Sequence, residues 1–398
     1  MTVNEKIAKI RERMAENHID AVIVPSADPH MSEYFSDHWK TRAWLSGFTG
    51  SAGTFVITKS IAGLWTDGRY YVQAEKQLAG SEGVLFKMNE PETPKVYEYL
   101  AKELPENAVV GINGKLFSAS YVQIMKDAFA KKNIQINNQI DYANEIWEGR
   151  PEESATEIYN LGVEYAGKSA AEKISELREK LREKETDAIV VNTLDGIAWL
   201  YNIRANDVAC TPVAIAYAYV SQEDAILFTN TARVNDSVLR VLSENGITMR
   251  PYEDVFEYAA NIKHQQVVLC DERELNFSLY HTLANNINLT LVEGDDPIKL
   301  MKAIKNEVET KNTYEAYLQD GIAEAEFYGW LFEALEKGET ITEYQASQKL
   351  YSFREQRENF KGDSFTAILA YRDNAAMMHY APKAEGSAVI KPEHFLLN

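Results

Sequence analysis

His379 and Tyr380 stand side by side in A-A-M-M-H-Y-A-P. A histidine titrates near neutral pH, so it suits a role in which a reacting group gains or loses a hydrogen bond or a proton. A second cluster of chemical side chains lies in S-A-D-P-H-M-S-E-Y-F-S-D-H-W, where Ser26 to Trp39 enclose His30, Glu33, Asp37 and His38. Their irregular spacing across a Pro-containing loop matches no metal-ligand pattern, and the i, i+4 histidine pair of metallopeptidase helices is missing. No metal site is expected there. Gly47, Gly50 and Gly53 recur at a spacing of three, but neither the lysine of a phosphate loop nor a G-x-G-x-x-G pattern accompanies them, so they read as glycines of a tight turn. Cys210 and Cys270 are far apart and form no C-x-x-C, which predicts two core thiols and neither a disulfide framework nor a zinc ribbon.

The elements that must carry these residues are legible from periodicity. The spacing predicts a helix over Val3 to Asn17, a strand over Ala21 to Val24, and helical structure over Tyr34 to Trp44. Thr54 to Thr58 alternates and is β-branched, Leu64 to Thr66 forms a second short strand, and Asp67-Gly68 turns the chain into a helix from Tyr70 to Leu78. Further on, the order repeats. Asp20-Ala21-Val22-Ile23-Val24 is echoed by Asp187-Ala188-Ile189-Val190-Val191, Ala43-Trp44-Leu45 by Ala198-Trp199-Leu200, and Leu64-Trp65-Thr66-Asp67 by Leu227-Phe228-Thr229-Asn230. Three echoes in one order imply a duplicated α/β domain. The amphipathic segment Ala170 to Glu185 opens the second copy as Val3 to Asn17 opens the first.

Pro297 to Lys311 leads out of the second copy. From Lys311 to Lys337 apolar residues at Tyr314, Leu318, Ile322, Ala325, Phe332 and Leu335 predict a helix that ends at Gly338. A second long helix is expected over Ile341 to Phe360, with Thr342 and Gln345 spaced as a capping box. Strands are expected over Phe365 to Ala370 and Phe395 to Leu397.

A chain of 398 residues is long for one core, and 45% hydrophobic with 25% charged residues is ordinary soluble composition. The net charge of −19 repels nucleic-acid phosphates and anionic lipid surfaces, so neither nucleic acid nor membrane is an expected partner. The charged amphipathic amino terminus has no apolar signal core, and a cytoplasmic location is expected.

The stretch W-L-S-G-F-T-G-S-A-G-T-F-V-I-T-K-S-I-A-G-L-W-T-D-G-R-Y-Y, from Trp44 onward, resembles the amino-terminal domain of cytosolic aminopeptidase P, the Xaa-Pro aminopeptidase of the pita-bread metallopeptidases. Asp195 to Arg204, D-G-I-A-W-L-Y-N-I-R, resembles a second block of that family, although the family's Gly-Ser-Asp-Val after the arginine is replaced by Ala205-Asn206-Asp207-Val208. That departure weakens any functional role for Arg204. Phe365 to Pro382 resembles the segment in which a His-Tyr pair borders the active site. In that family the next strand runs into Asp-Ser-Gly or Asp-Ala-Gly and on to further ligands of two metal ions. Here His394-Phe395-Leu396-Leu397-Asn398 is the last of the chain, and no residue matches the five metal ligands.

The resemblance implies an α/β fold: two similar creatinase-type amino-terminal domains with mixed sheets, over residues 1–155 and 156–302, then the incomplete start of an α+β pita-bread domain over 303–398. It implies a parent enzyme that removes the amino-terminal residue before proline, acts on peptides with proline in the second position, uses two divalent ions (Mn2+ by expectation, with ligands beyond Asn398) and forms a homodimer. It assigns His379 to catalysis and substrate binding. Glu33, in the family-like S-E-Y loop, is assigned to the substrate's terminal ammonium. No metal ligand is expected within the chain, which alone is expected to be inactive. Two rivals are a non-catalytic peptide-binding module of pita-bread type and a creatinase-like amidinohydrolase; the duplication argues against the second, whose chains carry one amino-terminal domain.

Overall fold

The computed structural model describes all 398 residues, which divide into two compact units. The larger comprises residues 1–162, 168–208 and 212–304, the smaller 163–167, 209–211 and 305–398.

The larger unit holds two six-stranded sheets. The strands of the first are β1 (Ala21–Pro25), β2 (Thr54–Thr58), β3 (Ala62–Thr66), β4 (Gly83–Lys87), β5 (Val109–Gly111) and β6 (Gln135–Asn137), in the order β4-β3-β2-β1-β5-β6. A two-residue ribbon follows, β7 (Tyr159–Asn160) against β9 (Ile203–Arg204). The second sheet is built from β8 (Ala188–Val191), β10 (Ala216–Ser221), β11 (Ala225–Thr229), β12 (Thr248–Arg250), β13 (Gln266–Cys270) and β14 (Leu289–Glu293), in the order β12-β11-β10-β8-β13-β14. In both, the central three strands are antiparallel and every outer pairing is parallel. The two sheets share one topology and one set of strand directions, so the duplication is structural.

Equivalent residues repeat the same bonds. Asp20 N donates to Val109 O at 2.8 Å and its carboxylate accepts from Val109 N at 2.9 Å; Asp187 makes the same pair with Val267 at 2.7 Å each way. Lys6 Nζ donates to Trp44 O and sits 4.6 Å from that indole, and Lys173 Nζ donates to Trp199 O at 4.3 Å from its indole. Each sheet is covered on both faces because its strands alternate. Phe55 and Ile57 join Ile7, Ile10 and Leu45 on one side, while Val56 joins Leu100, Val122 and Phe129 on the other. In the second sheet Ala216, Ala218 and Val220 meet Ile174, Leu177 and Leu181, and Tyr217 and Tyr219 meet Val255, Ala259 and Leu279. The opening helices, Val3–Glu16 and Ala170–Glu183, both start in capping boxes, Thr2 with Glu5 and Ser169 with Glu172.

The glycine-rich turn before β2 is organised by the buried Arg42, whose guanidinium donates to Phe48 O and Gly50 O. A Cβ at Gly50 would fall 2.3 Å from the Phe48 ring, so no side chain fits there. The turn is steric in origin, as its spacing suggests.

In the smaller unit, helices Glu307–Glu336 and Glu343–Glu355 pack through Ala323, Phe327, Leu331 and Ala334 against Ala346, Leu350, Leu369 and Ile390. Gly338, at φ 73°, ends the first helix, and Thr342 and Gln345 form the expected capping box. Tyr314, Leu318, Ile322 and Phe332 on this helix are 77, 57, 37 and 62% exposed: the long helix carries two apolar stripes, and only the other one faces its neighbour. Three expectations need correction. The second helix stops at Glu355, where the chain turns through Arg357 and Phe360. The predicted strand over 365–370 reduces to β15 (Ala370–Tyr371), because its partner β16 (Leu396–Leu397) offers only two residues to pair with. Tyr34 to Trp44 is not one helix: only Asp37–Trp39 and Thr41–Ser46 are helical, since the preceding loop is pinned elsewhere.

Candidate functional site

In the smaller unit the His379 segment is organised around one buried carboxylate. Glu343 opens the helix Glu343–Glu355 and has no exposed surface. Its Oε1 accepts from Tyr371 N at 2.6 Å and Asn374 Nδ2 at 3.0 Å; its Oε2 accepts from Tyr380 Oη at 2.6 Å and Ala388 N at 2.8 Å. Asn374 Nδ2 also donates to Tyr380 Oη at 3.1 Å. Burial alone would push the Glu343 carboxyl up, but the hydrogen bonds from Tyr380, Tyr371, Asn374 and Ala388 outweigh it and hold the group below its ordinary pKa. Burial together with the Glu343 carboxylate pushes the Tyr380 phenol up to about 12. At neutral pH the pair is therefore a carboxylate accepting from a protonated phenol. His379 is exposed on the stretch between Asn374 and Tyr380, two residues whose side chains are both fastened to Glu343. Sequence reasoning singles out His379 and does not single out Glu343. The only local signal was an acidic residue in the first turn of a helix, which the helix dipole already explains.

In the larger unit the loop from Ser26 to Trp39 clasps the two α/β domains. Asp28 Oδ1 accepts from His30 N and Ser32 N, at 3.0 and 2.9 Å, which folds the loop tip back on itself. His30, 2% exposed, crosses to the second domain: Nδ1 lies 2.8 Å from Asn192 O and Nε2 lies 2.8 Å from Tyr252 Oη. A carbonyl only accepts, so Nδ1 carries the proton. Burial lowers the pKa of His30, which keeps Nε2 free of a proton to accept from Tyr252. Pro29 O accepts from both Asn192 Nδ2 and Asn276 Nδ2. Farther along the loop, His38 Nδ1 lies 2.8 Å from Pro151 O and Trp39 Nε1 donates to Glu153 Oε1 at 2.9 Å. These histidines bind backbone carbonyls, a structural use.

Glu33 lies on the same loop and is exposed. Nearby, Arg69 makes a two-pronged contact with Asp67, 2.8 Å on each prong, and Asp67 holds the guanidinium above its ordinary pKa with a smaller contribution from Glu33. Arg204, on β9, donates to Ala198 O of the helix Leu194–Leu200 at 2.6 Å.

No three His, Cys, Asp or Glu side chains converge as a metal ion would require. The residues present do not fit a two-metal centre. No helix is long and apolar enough to cross a membrane.

Residues 6–150 match the creatinase/prolidase N-terminal domain family, residues 149–309 match a second family of that description, and residues 315–398 match metallopeptidase family M24. A probable Xaa-Pro aminopeptidase P of Sordaria macrospora is 35% identical over 413 residues, covering all of this chain and 67% of the relative. One of Laccaria bicolor is 36% identical and aminopeptidase P2 of Arabidopsis thaliana 34% identical, each matched over the whole of this chain and over 62% and 60% of its own length. The chain spans about three fifths of those two relatives. The crystal structure of X-prolyl aminopeptidase from Caenorhabditis elegans, described as a cytosolic enzyme with a di-nuclear active site, superimposes with a TM-score of 0.92 at 28% identity, over 99% of this chain and 66% of that one. Two creatinase-type α/β domains followed by an M24 segment are the domain order of the pita-bread metallopeptidase class. Within that class, the chain belongs to the Xaa-Pro aminopeptidase P family.

Proposed function

We propose that this chain forms part of an aminopeptidase that removes the residue preceding proline from the amino terminus of peptides. The observation that carries the reading is the match of the whole chain, with its three domains in one order, to Xaa-Pro aminopeptidases. The imide before proline lacks an N–H, so an enzyme for it must recognise the peptide end by other groups. In this reading His379 hydrogen-bonds the substrate or the tetrahedral intermediate, and the carboxylate of Glu33 pairs with the terminal ammonium. The domains are taken as 1–155, 156–302 and 303–398, the location as cytoplasmic and the assembly as a homodimer. Two divalent ions, with manganese expected, would supply a hydroxide and polarise the carbonyl, held by residues other than these.

Metal binding by the chain tests where the ions are held. Calorimetric titration of Mn2+ into the 398-residue chain is expected to show no tight saturable site, and the chain alone is expected to leave an Xaa-Pro-Xaa peptide uncut. Turnover abolished by a chelator would place the metal centre within these residues and defeat that part of the reading.

Glu33→Gln tests the ammonium contact. A charge-assisted hydrogen bond is worth roughly 1.5–3 kcal/mol, and exposure favours the lower end, so kcat/KM for free-amine peptides is expected to fall about tenfold in the peptidase-active protein. Amino-acetylated peptides should be affected much less. An unchanged kcat/KM for the free amine returns Glu33 to the solvated surface.

A further inference from the structure

We propose that Glu343 is a positioning residue for the reaction, holding the Tyr371–Ala388 segment, and His379 within it, in the geometry used for turnover. The inference rests on the assignment of His379 to substrate. Its basis is the unusual situation of the carboxylate. A buried carboxylate without a compensating cation is costly, and no lysine or arginine pairs with Glu343. Its charge is met by donors from Tyr371, Asn374, Tyr380 and Ala388. These four points lie on a segment with little regular structure of its own: β15 is two residues long, a 3-10 turn covers Arg372–Ala376, and Met377, Met378 and His379 are exposed. The bonds within the turn are local, Met377 N to Asn374 O and Tyr380 N to Met377 O. Besides the packing of Tyr371 into the core and its pairing with Leu396, the segment is attached to a helix through Glu343, whose own N donates to Ala388 O while Ala388 N donates back to its carboxylate. Glu343 stands on a helix packed through Ala346 and Leu350 into the unit's core, so it transmits that rigidity to both sides of His379. An apolar residue at 343 would leave these donors without an acceptor; tying four separate points of a loop together requires an acceptor with two oxygens.

Glu343→Gln keeps the shape and removes half of the acceptors. Whichever way the amide is turned, its NH2 meets a group that donates in the native structure, and a backbone N–H of Tyr371 or Ala388 loses its partner. In the 398-residue chain, amide exchange over 371–388 is expected to accelerate about tenfold or more, while both six-stranded sheets exchange as in the wild type. In the peptidase-active protein kcat is expected to fall by about 10²-fold with KM nearly unchanged, because misplacement by about 1 Å suffices for such a loss. Tyr380→Phe and Asn374→Ala each remove one donor and leave the carboxylate; both should loosen the segment less, and they carry the test if Glu343→Gln does not fold. Unchanged exchange over 371–388 in Glu343→Gln, or in both donor variants where that protein is not obtained, overturns the proposal. Normal turnover in Glu343→Gln beside impaired turnover in His379→Ala also overturns it. Normal turnover in His379→Ala defeats instead the assignment on which the proposal stands.

Discussion

Replacing His379 by alanine is expected to lower the rate of Xaa-Pro cleavage by about 10²-fold or more, the usual loss when a positioned acid, base or hydrogen-bond donor is removed. Metal content should stay near that of the wild type, because the assignment gives His379 to the substrate. His379 is exposed, whereas the anchoring of its segment is done by the side chains of Tyr380 and Asn374 on Glu343. Removing the imidazole therefore leaves those bonds standing. Kinetic constants and metal analysis on the same preparation check both halves of the expectation: loss of metal along with activity would make His379 a ligand, and retention of both would remove it from the site.

Much of the fold was legible because its signals are local. The paired echoes mark positions with the same duty in both domains, and the bonds of Asp20 and Asp187 to Val109 and Val267 show why an acid precedes each first strand. What local patterns could not show is contact at a distance. Lys173, in E-K-I-S-E-L-R-E-K, reads as a solvated helix position, yet it is 1% exposed because Trp199 O, Asn202 Oδ1 and the Trp199 indole lie around its ammonium. On Glu307–Glu336 periodicity detected an apolar stripe, but a helix with two stripes does not say which one its neighbour covers. The same limit applies to the site. His379 is proposed from a motif read along the chain. Glu343 gathers groups 28, 31, 37 and 45 residues away, and nothing in its own neighbourhood distinguishes it from an ordinary acid at a helix start. The loop residues His30 and His38 carried the opposite ambiguity: types suited to metal binding, spent on carbonyls of Asn192 and Pro151.

Asp207 was noticed only as part of a departure from a family motif beside Arg204, and the largest expected effect on stability belongs to it. Its side chain is fully buried. Oδ1 accepts from Thr156 N at 2.9 Å and Thr156 Oγ1 at 2.8 Å, and Oδ2 accepts from Ile215 N at 2.7 Å and from the guanidinium of Arg233. Arg233 in turn donates to Ile215 O and Thr229 Oγ1, both at 2.7 Å. The pair joins three stretches of the second domain: the segment ahead of β7, the loop into β10 and the turn after β11. Asp207→Ala would leave Arg233 charged, buried and without its carboxylate, and would orphan the N–H groups of Thr156 and Ile215. Breaking a buried pair from one side costs about 3–5 kcal/mol, a large share of the roughly 5–15 kcal/mol that holds a domain together. The unfolding midpoint is expected to fall by about 6–20 °C. Arg233→Met should cost clearly less, because Asp207 would keep two backbone N–H groups and the Thr156 hydroxyl as donors. Thermal unfolding of the two variants side by side gives the test. Equal losses, or a greater loss in Arg233→Met, would mean that the carboxylate and its backbone donors are not the centre of this junction.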